Sequence, residues 1–201
     1  MIKTIIFDFG GVLAEEGFRK GLKAIAKKNG LDPEEFFGIA EDLIYTTGYV
    51  TGMSEEEVYV NKLRETTGIK ENNEELRHEI LSRFTLRPEV IAYVDSLRSA
   101  GFITAILSDQ TNWLEELNRQ RPFFQHFDYV FNSYRLKKGK RDSSIFRDVC
   151  SAIGVQPEEA VFVDDNINNI TRASGERLHA IHFQGIKELA MEMEKYSTEQ
   201  R

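Results

Sequence analysis

Four places in this chain put chemically capable groups beside apolar runs. Ile5-Ile6-Phe7 ends on Asp8 and the glycine pair Gly10-Gly11. Phe102–Leu107 ends on Ser108-Asp109, and Ala160–Val163 ends on Asp164-Asp165. Lys140 sits in the polar loop Lys137-Lys138-Gly139-Lys140-Arg141, ahead of an apolar helical pattern. An aspartate closing a buried strand is placed to attack phosphorus or carbon. Glycines directly after it let backbone N–H groups come close to a ligand, which makes Gly11 a candidate substrate contact. Phosphoryl transfer needs its equatorial oxygens neutralised. Mg2+ does this while held by one or two carboxylates, with Asp8 and Asp165 the obvious pair. The Ser108 hydroxyl, with Asp109 beside it, can hold a phosphate oxygen. Lys140 can pair with both nucleophile and phosphate.

Taken singly, each feature has a plainer reading. Asp8 can end an ordinary glycine turn, Ser108-Asp109 can cap a helix, and the lysine run can be a solvated loop. Asp164-Asp165 is harder to explain structurally, because adjacent carboxylates repel unless a cation lies between them.

The elements that must carry these groups follow from periodicity. Lys3–Phe9 reads as a buried strand. A long helical block comes next. Phe18–Asn29 is stopped by Gly30, and a second helix begins at Asp32-Pro33 with Asp32 as N-cap. Ser54-Glu55-Glu56-Glu57 reads as a capping box before Val58 and Leu63. A fourth helix covers Asn73 to Phe84. Beyond Pro88 the rhythm alternates: helix 89–100, strand 102–107, helix 113–119, strand 129–131, helix 143–153, strand 160–163, helix 167–174, strand 178–182, helix 186–195, then a frayed tail, 196–201. Alternating strands and helices predict a doubly wound parallel sheet of Rossmann-like α/β type. Parallel strands share a C-terminal side, so all four places should meet at one sheet edge. The division expected is a core of residues 1–13 and 87–201 with an inserted α-helical domain, 14–86.

The 201 residues carry a net charge of −7, against the basic surface that nucleic-acid binding requires. The lone Cys150 allows no internal disulfide, and the four histidines show no zinc spacing. No apolar run is long enough for a bilayer, and Met1-Ile2-Lys3 enters a strand without a leader, so a cytoplasmic protein without membrane partners is expected.

Together, Phe7-Asp8-Phe9-Gly10-Gly11-Val12-Leu13, Leu107-Ser108-Asp109, Lys140 before Asp142, and Phe162-Val163-Asp164-Asp165-Asn166 resemble, in order, the four motifs of the haloacid dehalogenase-like (HAD) superfamily. The helical block resembles its C1-type cap. Arg87-Pro88-Glu89-Val90 and the run Asp164–Ile170 are similar to small capped phosphatases acting on sugar phosphates such as glucose 1-phosphate. The resemblance implies a Mg2+-dependent phosphatase of a small phosphorylated metabolite. Asp8 would be nucleophile and Lys140 stabilising cation. Asp8, the Gly10 carbonyl and Asp165 would be metal ligands, with Asp164 in support.

Two departures stand out. Gly10 occupies the place of the family's acid/base aspartate. The lysine motif reads Lys140-Arg141-Asp142 where Lys-Pro-Asp is common. Lys137 and Lys138 lie close by, and spacing from Ser133 and to Ile145-Phe146 favours Lys140. The first departure leaves two alternatives: a metal-independent 2-haloacid dehalogenase, or a catalytically weak binding protein. Asp109, Glu15 and Glu16 are the nearest replacements for the missing acid. In the helical block, Arg19, Lys20 and Lys23 are the candidate cations, and Tyr45 and Tyr49 candidate partners for substrate hydroxyls. Hinges are expected near Gly17 and at 86–88.

Overall fold

The computed structural model describes residues 1–197. Five parallel strands form one sheet: β1 Thr4–Phe7, β2 Ile103–Ser108, β3 Tyr129–Asn132, β4 Ala160–Asp164 and β5 His179–His182, in the order β3-β2-β1-β4-β5. Every residue of β1 and β4 is buried, as expected for inner strands covered on both faces. The order reverses between β1 and β4, and the crevice at such a switch point is where open α/β sheets bind ligands. Phe7 pairs with Ile106 on one side and Val163 on the other, which brings the ends of β1, β2 and β4 level.

Four helices lie between β1 and β2 together with a fifth that follows them. The four are α1 Gly17–Lys28, α2 Pro33–Thr46, α3 Glu56–Thr67 and α4 Asn73–Leu81, and the fifth is α5 Pro88–Ser99. The remaining helices are α6 Trp113–Gln120, α7 Ser133–Leu136, α8 Ser144–Ile153, α9 Ile167–Gly175 and α10 Ile186–Ser197. No helix among the described residues is long and apolar enough to cross a membrane.

Local chemistry explains most of these ends. Asp32 caps α2 by accepting from the N–H groups of Glu34 and Glu35, with Pro33 in the first turn. The expected capping box at Ser54 does not form. Helix α3 starts after Glu55, which makes no side-chain cap bond, and the Ser54 hydroxyl is buried without a hydrogen-bond partner. Val58 is 51 % exposed, so α3 turns Tyr59, Val60 and Leu63 inward instead. A capping box does form at α4, where Asn72 accepts from the Glu75 N–H and Glu75 accepts from the Asn72 N–H. Tyr196 and Ser197 continue α10; the rest of the expected frayed tail lies outside the described residues.

Two apolar layers cover the sheet. Ile6, Leu107 and Phe162 face one, built on α8 with Cys150 buried inside it. Ile5, Phe7 and Val163 face the other, which runs without a break into Leu22, Phe36, Ile44 and Tyr49 of the helical block. Phe9 stacks on Phe84 and on Phe123, centroids 5.6 and 4.9 Å away, stitching the two regions together. The chain leaves and returns at one place: Ala14 bridges Leu86, and the Arg87 N–H donates to the Leu13 carbonyl at 2.9 Å. Gly17 packs tightly beside this crossing, since a Cβ there would lie 2.5 Å from the Phe84 ring.

Side chains and main chain tie the block to the sheet region elsewhere too. Tyr49 donates to Asn112 Oδ1 at 2.6 Å, and Trp113 Nε1 to Glu56 Oε2 at 3.0 Å. Ser133 donates to the Val50 carbonyl at 2.7 Å and Lys137 to the Gly52 carbonyl at 2.6 Å.

Candidate active site

The strand ends converge on a cleft of about 730 Å³ between the sheet edge and helices α1 and α2. Asp8, Ser108, Asp109, Lys140, Asp164 and Asp165 all line it. Lys140 is the centre of its floor. Its ammonium lies 2.7 Å from Asp8 Oδ1 and 2.7 Å from Asp164 Oδ2, and all three residues are buried. Lys137 and Lys138 point elsewhere: Lys137 to the Gly52 carbonyl, Lys138 to Asp148 and Ser144.

Carboxylate oxygens of Asp8, Asp164 and Asp165 lie within 4.8 Å of one another, the one such cluster among the described residues. Their free capacity differs. Asp164 is fully engaged: Oδ1 accepts from the Asn166 N–H at 2.7 Å, and Oδ2 from Lys140 and from Asn169 Nδ2 at 3.0 Å. Asp8 uses Oδ1 for Lys140, leaving Oδ2 without a hydrogen-bond partner among the described residues. The Asp165 carboxylate is exposed to the cleft and lies against Gly11. A Cβ on Gly11 would fall 2.1 Å from Asp165 Oδ2, and its φ is +87°, so only glycine fits there.

Three carboxylates against one ammonium leave two negative charges in a mostly dry place. Burial pushes the Asp8 carboxyl well above the ordinary range; Lys140 opposes this, and Asp164 and Asp165 add to it. Asp165 is raised too, by desolvation and then by the Asp164 charge. Burial alone would lower Lys140, but Asp164, Asp8 and Asp109 outweigh it and hold the ammonium charged. This surplus of negative charge, with oxygen donors only, suits a hard divalent cation such as Mg2+.

The expected substrate contacts separate. The Ser108 hydroxyl faces the cleft with no protein hydrogen bond among the described residues. The Gly11 N–H is already engaged, donating to the Ala14 carbonyl at 2.8 Å. Asp109 neither caps a helix nor stands free. Its two oxygens accept the Lys140 N–H at 2.9 and 3.0 Å, and Oδ2 also accepts the Tyr45 hydroxyl at 2.9 Å.

The gap left by Gly10 has a neighbour. A Cβ built on Gly10 would lie 3.5 Å from Glu16 Oε1. Glu16 is the N-cap of α1: its Oε2 accepts the Arg19 N–H at 2.7 Å, while Oε1 has no hydrogen-bond partner among the described residues. Burial, then the charges of Asp165 and Glu41, raise the Glu16 carboxyl, with the Arg19 N–H opposing. Glu15 is different: Lys20 and Arg87 pair with it and hold it low. Sequence alone could not separate the two, because only the path of the chain into α1 decides which side chain turns inward.

Comparison with known proteins bears on the family. The chain is 34% identical over 122 residues to a phosphoserine phosphatase of Thermus thermophilus, covering 57% of this chain and 48% of the relative. It is 27% identical over 183 residues to D-ribitol-5-phosphate phosphatase of Bacteroides thetaiotaomicron, covering 85% and 86%. It is 29% identical over 105 residues to (S)-2-haloacid dehalogenase 1 of a Pseudomonas strain, covering 52% and 44%. The chain thus spans about half or less of the Thermus and Pseudomonas relatives. A HAD family enzyme of Bacteroides thetaiotaomicron, solved with magnesium and inorganic phosphate, shares the fold with a TM-score of 0.71 at 21% identity, covering 90% of this chain and 93% of the other. A family model for haloacid dehalogenase-like hydrolases matches residues 2–174, and the chain belongs to that family of hydrolases.

Proposed function

We propose that this hydrolase is a Mg2+-dependent phosphatase of a small, sugar-phosphate-like metabolite, working through an aspartyl-phosphate on Asp8. The observation that carries the reading is Lys140 bridging Asp8 and Asp164 beside the free carboxylate of Asp165. Asp8 and Asp165, with the Gly10 carbonyl, would hold the ion, and Asp164 would orient the cluster. When bound, Mg2+ supplies charge neutralisation to the phosphoryl oxygens and to the carboxylates around them.

The chain's own groups do the rest. Asp8 Oδ2 forms a bond to phosphorus as the bond to the leaving oxygen breaks. Lys140 stays charged between Asp8 and the incoming phosphoryl group, so two anions can meet. Ser108 donates to a phosphoryl oxygen. Glu16, at the place a side chain on residue 10 would fill, gives its proton to the leaving oxygen. The resulting carboxylate then takes a proton from the water that attacks the acyl-phosphate, which releases phosphate and restores Asp8. Residues 14–86 serve as the cap over a core of 1–13 and 87–201, and close the cleft against bulk water.

The test is hydrolysis of p-nitrophenyl phosphate, with Mg2+ and with a chelator, by the wild type and by Asp8→Asn. Expected is activity that needs both the ion and Asp8. Turnover of 2-haloacids by the chelated enzyme, without phosphatase activity, would favour the dehalogenase reading that one relative raises.

A further inference from the structure

We propose that Tyr45, on the helical block, is a positioning residue for Lys140 on the core, acting through Asp109. This rests on Lys140 serving the proposed phosphatase.

The path has three hydrogen-bonded links. Tyr45, in the last turn of α2, donates its hydroxyl to Asp109 Oδ2 at 2.9 Å. Asp109, just past the end of β2, accepts the Lys140 main-chain N–H with both oxygens. The Lys140 ammonium then reaches Asp8 and Asp164. The sequence makes room for this arrangement. A Cβ on Gly139 would sit 3.1 Å from Asp109 Oδ2, tighter than ordinary contact, so glycine lets the loop lie against the carboxylate. Arg141, the next residue after the lysine, lays its guanidinium 3.4 Å from the centroid of the Tyr45 ring. The loop therefore grips Tyr45 twice, by the Asp109 bond at the hydroxyl and by a cation–π contact on the ring face.

Lys140 needs such a hold. Its loop follows the four-residue helix α7 and a left-handed Lys137, φ 59°, so no long element fixes it from the N-terminal side. Its side chain must meet two carboxylates at 2.7 Å each, and a small shift of its backbone would spoil both contacts. Asp109 fixes the backbone, and Tyr45 fixes the rotation of Asp109. The consequence is a dependence of floor on roof: the lysine is fully aligned only while α2 is seated over the cleft.

Tyr45→Phe keeps the ring and the Arg141 contact and removes only the hydroxyl. Tyr49→Phe is the control: Tyr49 is buried and does not line the cleft, so it is no substrate contact, and it ties the block to Asn112 of the core without reaching any group in this path. Two measurements are made: steady-state kinetics with p-nitrophenyl phosphate, and amide exchange at Lys140 by NMR. For Tyr45→Phe, kcat should fall roughly tenfold with KM unchanged, and the Lys140 amide should exchange roughly tenfold faster. For Tyr49→Phe, melting temperature should drop while both readouts stay at wild type. A raised KM with unchanged kcat would overturn the proposal, since the hydroxyl would then be contacting substrate. Wild-type kcat and exchange in Tyr45→Phe would overturn it as well. If the wild type is no more active than Asp8→Asn, the phosphatase reading has failed, and the exchange at Lys140 alone decides whether Tyr45 holds it.

Discussion

The floor and the roof of the cleft are built on opposite plans. On the floor, Asp8 and Asp164 are buried at the ends of strands paired on both sides, and Lys140, buried in the loop after α7, reaches between them. On the roof, the cations of α1 pair at the surface with carboxylates outside that helix: Arg19 and Lys23 with Glu34 of α2, and Lys20 with Glu15. The candidate cations of the helical block, Arg19, Lys20 and Lys23, are thus already engaged. The roof lines the cleft mainly with Glu16, Glu41, Phe18, Phe37, Ile44 and Tyr45, and Arg19 reaches it while paired to Glu34. Buried ion clusters hold one geometry, because breaking one leaves an uncompensated charge. Exposed pairs contribute little and rearrange easily. In the proposed phosphatase, reaction type belongs to the floor and substrate choice to the roof.

The largest effect should come from the floor. Asp8→Asn is expected to cut kcat by at least about 10⁴-fold, measured in single-turnover assays, since removing a nucleophile removes the pathway. The same variant should be more stable than the wild type when metal is chelated at neutral pH. A carboxyl whose folded-state pKa is raised weakens the fold once pH exceeds its unfolded value near ~4, and Asp8 is raised by burial first. Adding Mg2+ should reverse the order, because the ion stabilises only the chain that binds it. A lower melting temperature for Asp8→Asn in chelator would show that Lys140 already balances the cluster.

Lys140→Met should lose about 10²–10³-fold in kcat, the scale for one preorganised charge, while Lys137→Ala and Lys138→Ala stay within a few-fold. A larger loss at either neighbour would move the stabilising cation off the floor.

Glu16 lies where roof meets floor and should act according to the leaving group. If Gly10 leaves the site without an acid, rate falls steeply with leaving-group pKa. If Glu16 fills the gap, the wild-type plot is shallow, and Glu16→Gln makes it steep, with about 10²-fold lost on alkyl phosphates and little on p-nitrophenyl phosphate. An acid must be protonated to act, and Glu16 is raised by burial, Asp165 and Glu41. The alkyl-phosphate rate should therefore fall as pH rises through that raised value, and Glu16→Gln should lose this limb.

The smallest effect is expected from the roof's exposed pairs. Arg19→Ala breaks the contact with Glu34 and the stacking on Phe37, and should change KM by no more than a few-fold on any one substrate. A tenfold or greater rise in KM for one substrate alone would mean that Arg19 leaves Glu34 to bind it.

Much of the floor is legible in the sequence. Parallel buried strands end on one side of a sheet, so Asp8, Ser108 and Asp164 had to meet, and the helical rhythm from α1 to α4 is plain in the apolar spacing. Most element ends fell within a residue or two, although α4 stops at Leu81, three residues short of the expected Phe84, and the other differences are local. Ser54 has the sequence of a capping box, but α3 starts one residue later and that hydroxyl is buried away from it. Gly11 looked like a donor to substrate, yet its freedom of φ serves the approach of Asp165.

What the sequence determined by itself is the set of groups and the edge they share, because both follow from strand periodicity and the handedness of crossovers. What only the tertiary structure decided is which partner each group has. Asp109 holds the loop of Lys140 and the hydroxyl of Tyr45, and Glu16 rather than Glu15 stands beside Gly10. Those pairings join residues up to 64 positions apart through the seating of a helical block on a sheet, and no local pattern encodes a contact at that distance.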